Sequence, residues 1–269
     1  MTAITVSPSA AGVTARPAGF WRDLASVAGR AVRAVVRAPE EVIPAIITPL
    51  FFFAVFTGAL DGISAFAGID DFRAFQLPVA IVTAVTGVSR ASTLVTDIQS
   101  GYLDRLLVSP VNRLSLLLGL MVADFVVVVA LSIPVVALGF IVGVDFATGP
   151  LGVLAFIVIG ALWGLAYTGL PYTIALRTGS PAAVNASFLV FFPFAFLTTT
   201  FLPADALTGW LATVATFNPV TYLLAGLRAL VIDGWVTADL LGALAAIAGL
   251  GALSFLLALT ALRARVRRN

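Results

Sequence analysis

Six runs of nearly uninterrupted apolar residues divide this chain, at roughly 42–60, 75–96, 114–144, 150–176, 183–201 and 238–262. A helix needs about 20 such residues to cross the hydrocarbon of a bilayer, so the pattern predicts an all-α integral membrane protein with six spanning helices. The third run is longer than a crossing requires, and Pro134 inside it marks a place for a kink. Pro171 lies near the end of the fourth run and Pro193 in the middle of the fifth. Such prolines are tolerated where neighbouring helices satisfy the freed carbonyls.

Three segments between the runs carry patterns of their own. In 20–38, Phe20, Trp21, Leu24, Val27, Ala28, Ala31, Val32 and Val35 fall at helical spacing, while Arg22, Arg30, Arg33 and Arg37 take other positions. This predicts an amphipathic helix in the membrane interface, its Arg heads toward lipid phosphates. A basic flank that only orients the first span is the alternative. Residues 1–19 are rich in Ala, Ser and Thr and lack an apolar core, so a disordered cytoplasmic tail is expected in place of a signal peptide. The six-helix domain then occupies 39–269.

The segment 97–113 is mixed. If helical, Tyr102, Leu103, Leu106 and Leu107 share one face, with Asp104, Arg105 and nearby Arg113 beside it. A short amphipathic helix in a membrane loop points to a docking surface for a second protein. In the long loop 202–237, Asn218 has the chemistry of a helix cap and Pro219 suits the first helical position. Upstream, Leu207, Trp210, Leu211 and Val214 have the spacing of another short helix. The expectation is a pair of re-entrant helices that enter the outer leaflet and return, packed against protein; helices lying flat on the surface are the alternative.

Composition narrows the chemistry. Hydrophobic residues make up 61% of the chain and charged residues only 10%, against roughly a quarter charged in soluble domains. There is no Cys and no His, and all 15 basic residues are Arg. Thiolate sites and His-based catalysis are therefore excluded, and so is a standard phosphate-binding loop, which needs Lys. An ATP-driven function would have to borrow its motor from another polypeptide. With the N-terminus inside, twelve of the fifteen Arg fall on the cytoplasmic side, which predicts both termini in the cytoplasm. The net charge of +2 follows from that placement and gives no reason to invoke nucleic acid. Arg90 and Asp124 are charges inside spans, at similar depth in an antiparallel hairpin. They are candidates for an intramembrane ion pair, with snorkelling of Arg90 as the alternative.

The segment Asp97 to Val111, the motif Asn218-Pro-Val-Thr-Tyr222 followed by Arg228, and the N-terminal amphipathic helix carry a resemblance. Together with six spans, the chain resembles the membrane subunits of ABC-2 type ABC exporters, notably actinobacterial permeases of the daunorubicin-resistance kind. Many relatives have Glu four residues before the loop glycine; here that position is Asp97, followed by the uncharged Ile98, Gln99 and Ser100.

The resemblance implies a type V exporter fold in the cell membrane, with an N-terminal interfacial helix, a cytoplasmic coupling helix and outer re-entrant helices. Two such subunits would dimerise, each resting on one of two copies of an ATP-binding subunit. The partner would bind ATP and Mg, and this chain would hold no cofactor or metal and would not itself be an enzyme. The coupling residues would be Asp97, Gly101, Tyr102, Leu103, Asp104, Arg105, Leu106, Leu107 and Pro110. A substrate path lined by spans one, two and five would involve Phe52, Phe53, Phe192, Phe196 and Thr199, suited to a lipophilic drug or lipid. The outer motif would be Asn218, Pro219, Tyr222 and Arg228. The alternative is an ion-coupled secondary transporter, which would normally carry coupling carboxylates near the midplane and two related halves.

Overall fold

A computed structural model describes residues 19–37, 39–60, 62, 68–87, 89–103, 105 and 113–267, and among them there are helices and no strand. The helices are α1 (Phe20–Arg37), α2 (Pro39–Leu60), α3 (Phe72–Thr86), α4 (Ala91–Gln99), α5 (Arg113–Ile141), α6 (Gly149–Thr178), α7 (Pro181–Leu189), α8 (Phe191–Phe196), α9 (Gly209–Phe217), α10 (Pro219–Arg228) and α11 (Thr237–Val266). A π-helical turn, Ala229–Asp233, extends α10. Ile43–Leu60, Phe72–Gln99, Leu114–Ile141, Gly149–Thr178 and Thr237–Val266 are long and apolar enough to cross a membrane.

The bundle has two distinct ends. At one, Gln99 Nε2 donates to Gly179 O at 3.0 Å and Arg30 Nη2 meets Asp97 Oδ2 at 3.1 Å. Here α1 lies against the first turns of α5: Ser115 Oγ donates to Phe20 O, and a Cβ on Gly119 would meet Val27 Cβ at 2.7 Å. Ala28 and Ala31 are buried in that contact and Trp21 is exposed. The amphipathic face of α1 is thus partly spent on the protein. At the opposite end, Arg73 Nη1 donates to Val142 O at 2.9 Å, Ala147 N to Val231 O at 2.9 Å and Thr148 Oγ1 to Leu230 O at 2.6 Å.

Two expected spans differ from the regular helices that their apolar runs predict. The second breaks between Thr86 and Ala91, leaving α3 and α4 as separate helices. The fifth is helical only as α7 and α8, then irregular from Leu197. At about 1.5 Å per residue, α7 and α8 together fall short of a roughly 30 Å hydrocarbon core. Residues 197–201 complete the route from Gly179 to the opposite end, where the Phe201 ring meets Phe56 edge-on at 5.2 Å. The third run behaves differently: α5 continues through Pro134 and ends at Ile141, where Gly143 adopts φ +89°.

The pair α9 and α10 bends by 83° at Asn218. Its two flanks lie at one end of the bundle, Phe201 beside Phe56 and Val231 beside Ala147.

Helices α6 and α11 approach each other closely. A Cβ on Gly169 would lie 2.6 Å from backbone atoms of Ser254, whose Oγ donates to Ala166 O at 2.5 Å. Lipid is as apolar as the helices, so close backbone approach between small residues takes the place of hydrophobic drive. Gly169→Val is expected to destabilise the solubilised protein by about 1–3 kcal/mol, read as a lower midpoint in a detergent thermal melt. Gly249→Val, where a Cβ would meet open space, is the matched control.

Candidate functional site

A cleft of about 380 Å³ lies between α2, α3 and the α7–α8 segment. Phe52, Phe53, Phe56, Phe192 and Phe196 line it, with Gln76 from α3, and no charged side chain is among the described lining residues. Phe53 is buried, whereas Phe52, Phe192 and Phe196 keep exposed faces. A chain of rings runs across one end of the cleft: Phe52 to Phe56 at 5.5 Å, Phe56 to Phe201 at 5.2 Å, Phe201 to Phe196 at 5.7 Å and Phe196 to Phe192 at 6.3 Å. Phe201, on the irregular segment, joins the α2 rings to those of α8. Thr199 departs from its expected place on the path. It is buried behind the cleft with its Oγ1 accepting from Arg228 Nη1 at 3.1 Å, and Thr200 takes the lining position.

Arg228 holds this irregular segment. Its guanidinium, 8% exposed, donates from Nε to Phe75 O at 3.1 Å and from Nη2 to Thr199 O at 2.7 Å and Thr200 O at 3.4 Å. Its Cζ lies 3.5 Å from the centroid of the Phe75 ring. Asn218 works beside it. Its Oδ1 accepts from Val220 N at 3.0 Å, capping α10 with Pro219 in the first turn, while Nδ2 donates to Phe194 O at 2.6 Å and Leu197 O at 2.8 Å. Tyr222 stays local: its hydroxyl is exposed and donates to Thr216 O at 2.7 Å.

Arg90 and Asp124 meet at the break in the second span. The near contact is Arg90 backbone N–H to Asp124 Oδ1 at 2.8 Å, with Arg90 Nε at 4.0 Å from the same oxygen. Tyr172 from α6 donates its hydroxyl to Asp124 Oδ2 at 2.6 Å. Asp124 is 0% exposed, and it supplies an acceptor for a backbone N–H that the interrupted helix leaves over. Tyr172 was not legible as a partner, because an aromatic 48 positions away in another apolar run has no pattern linking it to Asp124.

At the α1 end, Arg30 bridges Asp97 and Tyr102, with Arg30 Nη2 at 3.1 Å from the carboxylate and its Cζ 5.0 Å from the Tyr102 ring centroid. Gly101 turns the chain with φ +68°, a conformation that strongly favours glycine. Arg105 is exposed and donates to Gly101 O and Ser100 O, each at 3.3 Å. Leu103, expected to anchor a partner, is instead 4% exposed in the bundle's own core with Leu116 and Leu117. Asp104, Leu106, Leu107 and Pro110 lie outside the described residues.

Residues 22–232, from α1 through the bent pair α9 and α10, match the family described as ABC-2 type transporter. The chain belongs to the ABC-2 type transporter family. Similar proteins include the probable doxorubicin resistance ABC transporter permease protein DrrC of Mycobacterium tuberculosis, 28% identical over 78% of this chain and 76% of that protein. The daunorubicin resistance ABC transporter permease protein DrrB1 of Streptomyces coeruleorubidus is 27% identical over 75% and 72%. The putative transport permease ycf38 of Pyropia yezoensis is 29% identical over 77% and 73%. Permeases are thus the relatives of this ABC-2 chain, and its matched region contains the cleft, the span-two break and the Arg228 network.

Arg228→Ala in this ABC-2 protein removes the shared donor for Phe75, Thr199 and Thr200, and is expected to cost about 2–4 kcal/mol. Arg228→Lys keeps the charge but lacks the planar fork, so it should recover less than half. Thermal melts of the three proteins in one detergent measure the difference.

Proposed function

We propose that this chain is the membrane-spanning permease subunit of an ATP-driven exporter for a lipophilic or amphipathic compound. The observation that carries this reading is the uncharged, aromatic cleft between the first, second and fifth spans, in a family of ABC transporter membrane proteins. Such a lining recognises an apolar body by contact and excludes ions and sugar polymers, which would demand polar partners. The names of the relatives, doxorubicin and daunorubicin resistance permeases, support a drug-like cargo; a lipid fits the same chemistry.

The motor is a separate ATP-binding subunit, in two copies, that binds ATP and Mg. This chain, without Lys, supplies no phosphate-binding loop. The Arg-rich α1 end faces the cytoplasm of the cell membrane, which leaves both termini inside. There the segment Asp97 to Pro110 takes up the motor's movement, with Asp97 and Tyr102 steadied by Arg30. Movement passes into α4, which is separate from α3, so the lower half of span two swings relative to the half that lines the cleft. A second permease, a copy or a relative, completes the path. An ion-coupled carrier is less well supported, because Asp124 already accepts from Arg90 N–H and Tyr172.

Co-expression with its ATP-binding subunit tests the reading. The two are expected to co-purify, with association lost in Leu106→Glu, and ATP hydrolysis by the reconstituted complex should rise severalfold with an uncharged lipophilic drug or a lipid. Transport that persists on a proton gradient without nucleotide would contradict the proposal.

A further inference from the structure

Among the described residues lining the cleft, Gln76 has the one amide side chain, and it is only half used. It is 2% exposed, set in the apolar stretch of α3 among Phe75, Leu77 and Pro78. Its Nε2 donates to Thr200 O at 3.1 Å. A backbone carbonyl only accepts, so the amide nitrogen must face Thr200 and the orientation of the group is fixed. That leaves Oε1 as an acceptor to which no described residue donates, on a side chain that borders the cleft. Turning an amide oxygen without a donor toward an apolar cleft is unfavourable, and Leu at this position would avoid that cost.

The neighbouring hydroxyls cannot supply the missing donor. Thr83 Oγ1 donates to Val79 O at 2.8 Å, and Thr86 Oγ1 donates to Val82 O at 2.6 Å while accepting from Trp163 Nε1. Thr200 Oγ1 donates to Ala195 O. The hydroxyls of Thr83, Thr86 and Thr200 therefore have their protons committed, and the remaining lining hydroxyl among the described residues is Thr48 on α2. Charge narrows the ligand further. Arg228 and Gln76 share Thr200 O, so a guanidinium stands one layer behind the amide. In a low-dielectric site it opposes a second cation at Oε1. An anionic group would meet the lone pairs of Oε1, with three of the guanidinium nitrogens already donating to carbonyls and Thr199.

We propose that the cleft takes an uncharged amphiphile bearing a hydroxyl or N–H donor, and that Gln76 Oε1 is the group that selects it. The apolar body lies along Phe52, Phe56, Phe192 and Phe196. This rests on the cleft being the substrate path.

Three probes sharing one apolar body test it: pyrenyl decanol, its methyl ether and the corresponding decylammonium. Each is titrated into the permease–ATPase complex in nanodiscs, with empty nanodiscs as the partition blank, and read by energy transfer from tryptophan to pyrene. Wild type should bind the alcohol about tenfold tighter than the ether, and the ammonium more weakly than the alcohol. Gln76→Leu and the closer isostere Gln76→Met should abolish the alcohol's advantage and leave ether affinity within twofold. Equal binding of alcohol and ether by wild type would reduce Gln76 to a tie for Thr200 and overturn the proposal, while the cleft survives as a site. Tighter binding of the ammonium would overturn the neutral class. Binding of all three that is unchanged in Phe192→Ala, or no transfer above the blank, would remove the cleft itself as the path.

Discussion

A backbone inside hydrocarbon has no water to bond, so any interruption of a helix must be satisfied by protein. Among the described residues, three interruptions of the helices within the bundle each have a buried polar side chain assigned to them. Asp124 accepts from Arg90 N–H where span two breaks. Arg228 and Gln76 donate to the carbonyls of Thr199 and Thr200 where span five loses its helix. Asn218 caps α10 at the 83° bend and reaches back to Phe194 and Leu197. In this small set, polar groups within the membrane serve the backbone before they serve any ligand.

The interruptions also decide where the cleft lies. A regular fifth span would continue past Phe196 as helix. The irregular segment instead brings Thr200 into the cleft wall and Phe201 against Phe56. The ring chain from Phe52 to Phe192 follows from that turn. The break at Arg90 separates the part of span two that borders the cleft from the part that leads to Asp97 and Tyr102. The same constraint thus shapes the cavity and, along span two, sets it apart from the end that holds Asp97 and Tyr102.

The long spans were legible because a run of about 20 apolar residues has few other uses, and α1 because eight apolar positions keep helical spacing between four Arg. Asn218-Pro219 announced a helix start by its capping chemistry. The break in span two was not legible: Gly87 and Ser89 are ordinary residues in a membrane helix, and the acceptor for Arg90 comes from another span. The pairing of Arg90 with Asp124 was anticipated from depth, but as a contact of side chains, whereas the closer contact uses the backbone. Leu103 shows a general limit. An amphipathic face identifies residues that need apolar cover, and the bundle's own Leu116 and Leu117 provide it as readily as a partner would. Thr199 shows another, since a hydroxyl expected to face the cleft can be turned away by a cation that arrives from a helix distant in sequence.

The central claim is that buried polar side chains hold the interruptions of this bundle, each at its own place. Amide hydrogen exchange of wild type and Asp124→Ala in nanodiscs tests it most directly. The account predicts exchange at least about tenfold faster around Arg90 and Ala91, with protection in α5, α6 and α11 retained. Unchanged protection at Arg90, or protection lost evenly across all helices, would contradict it.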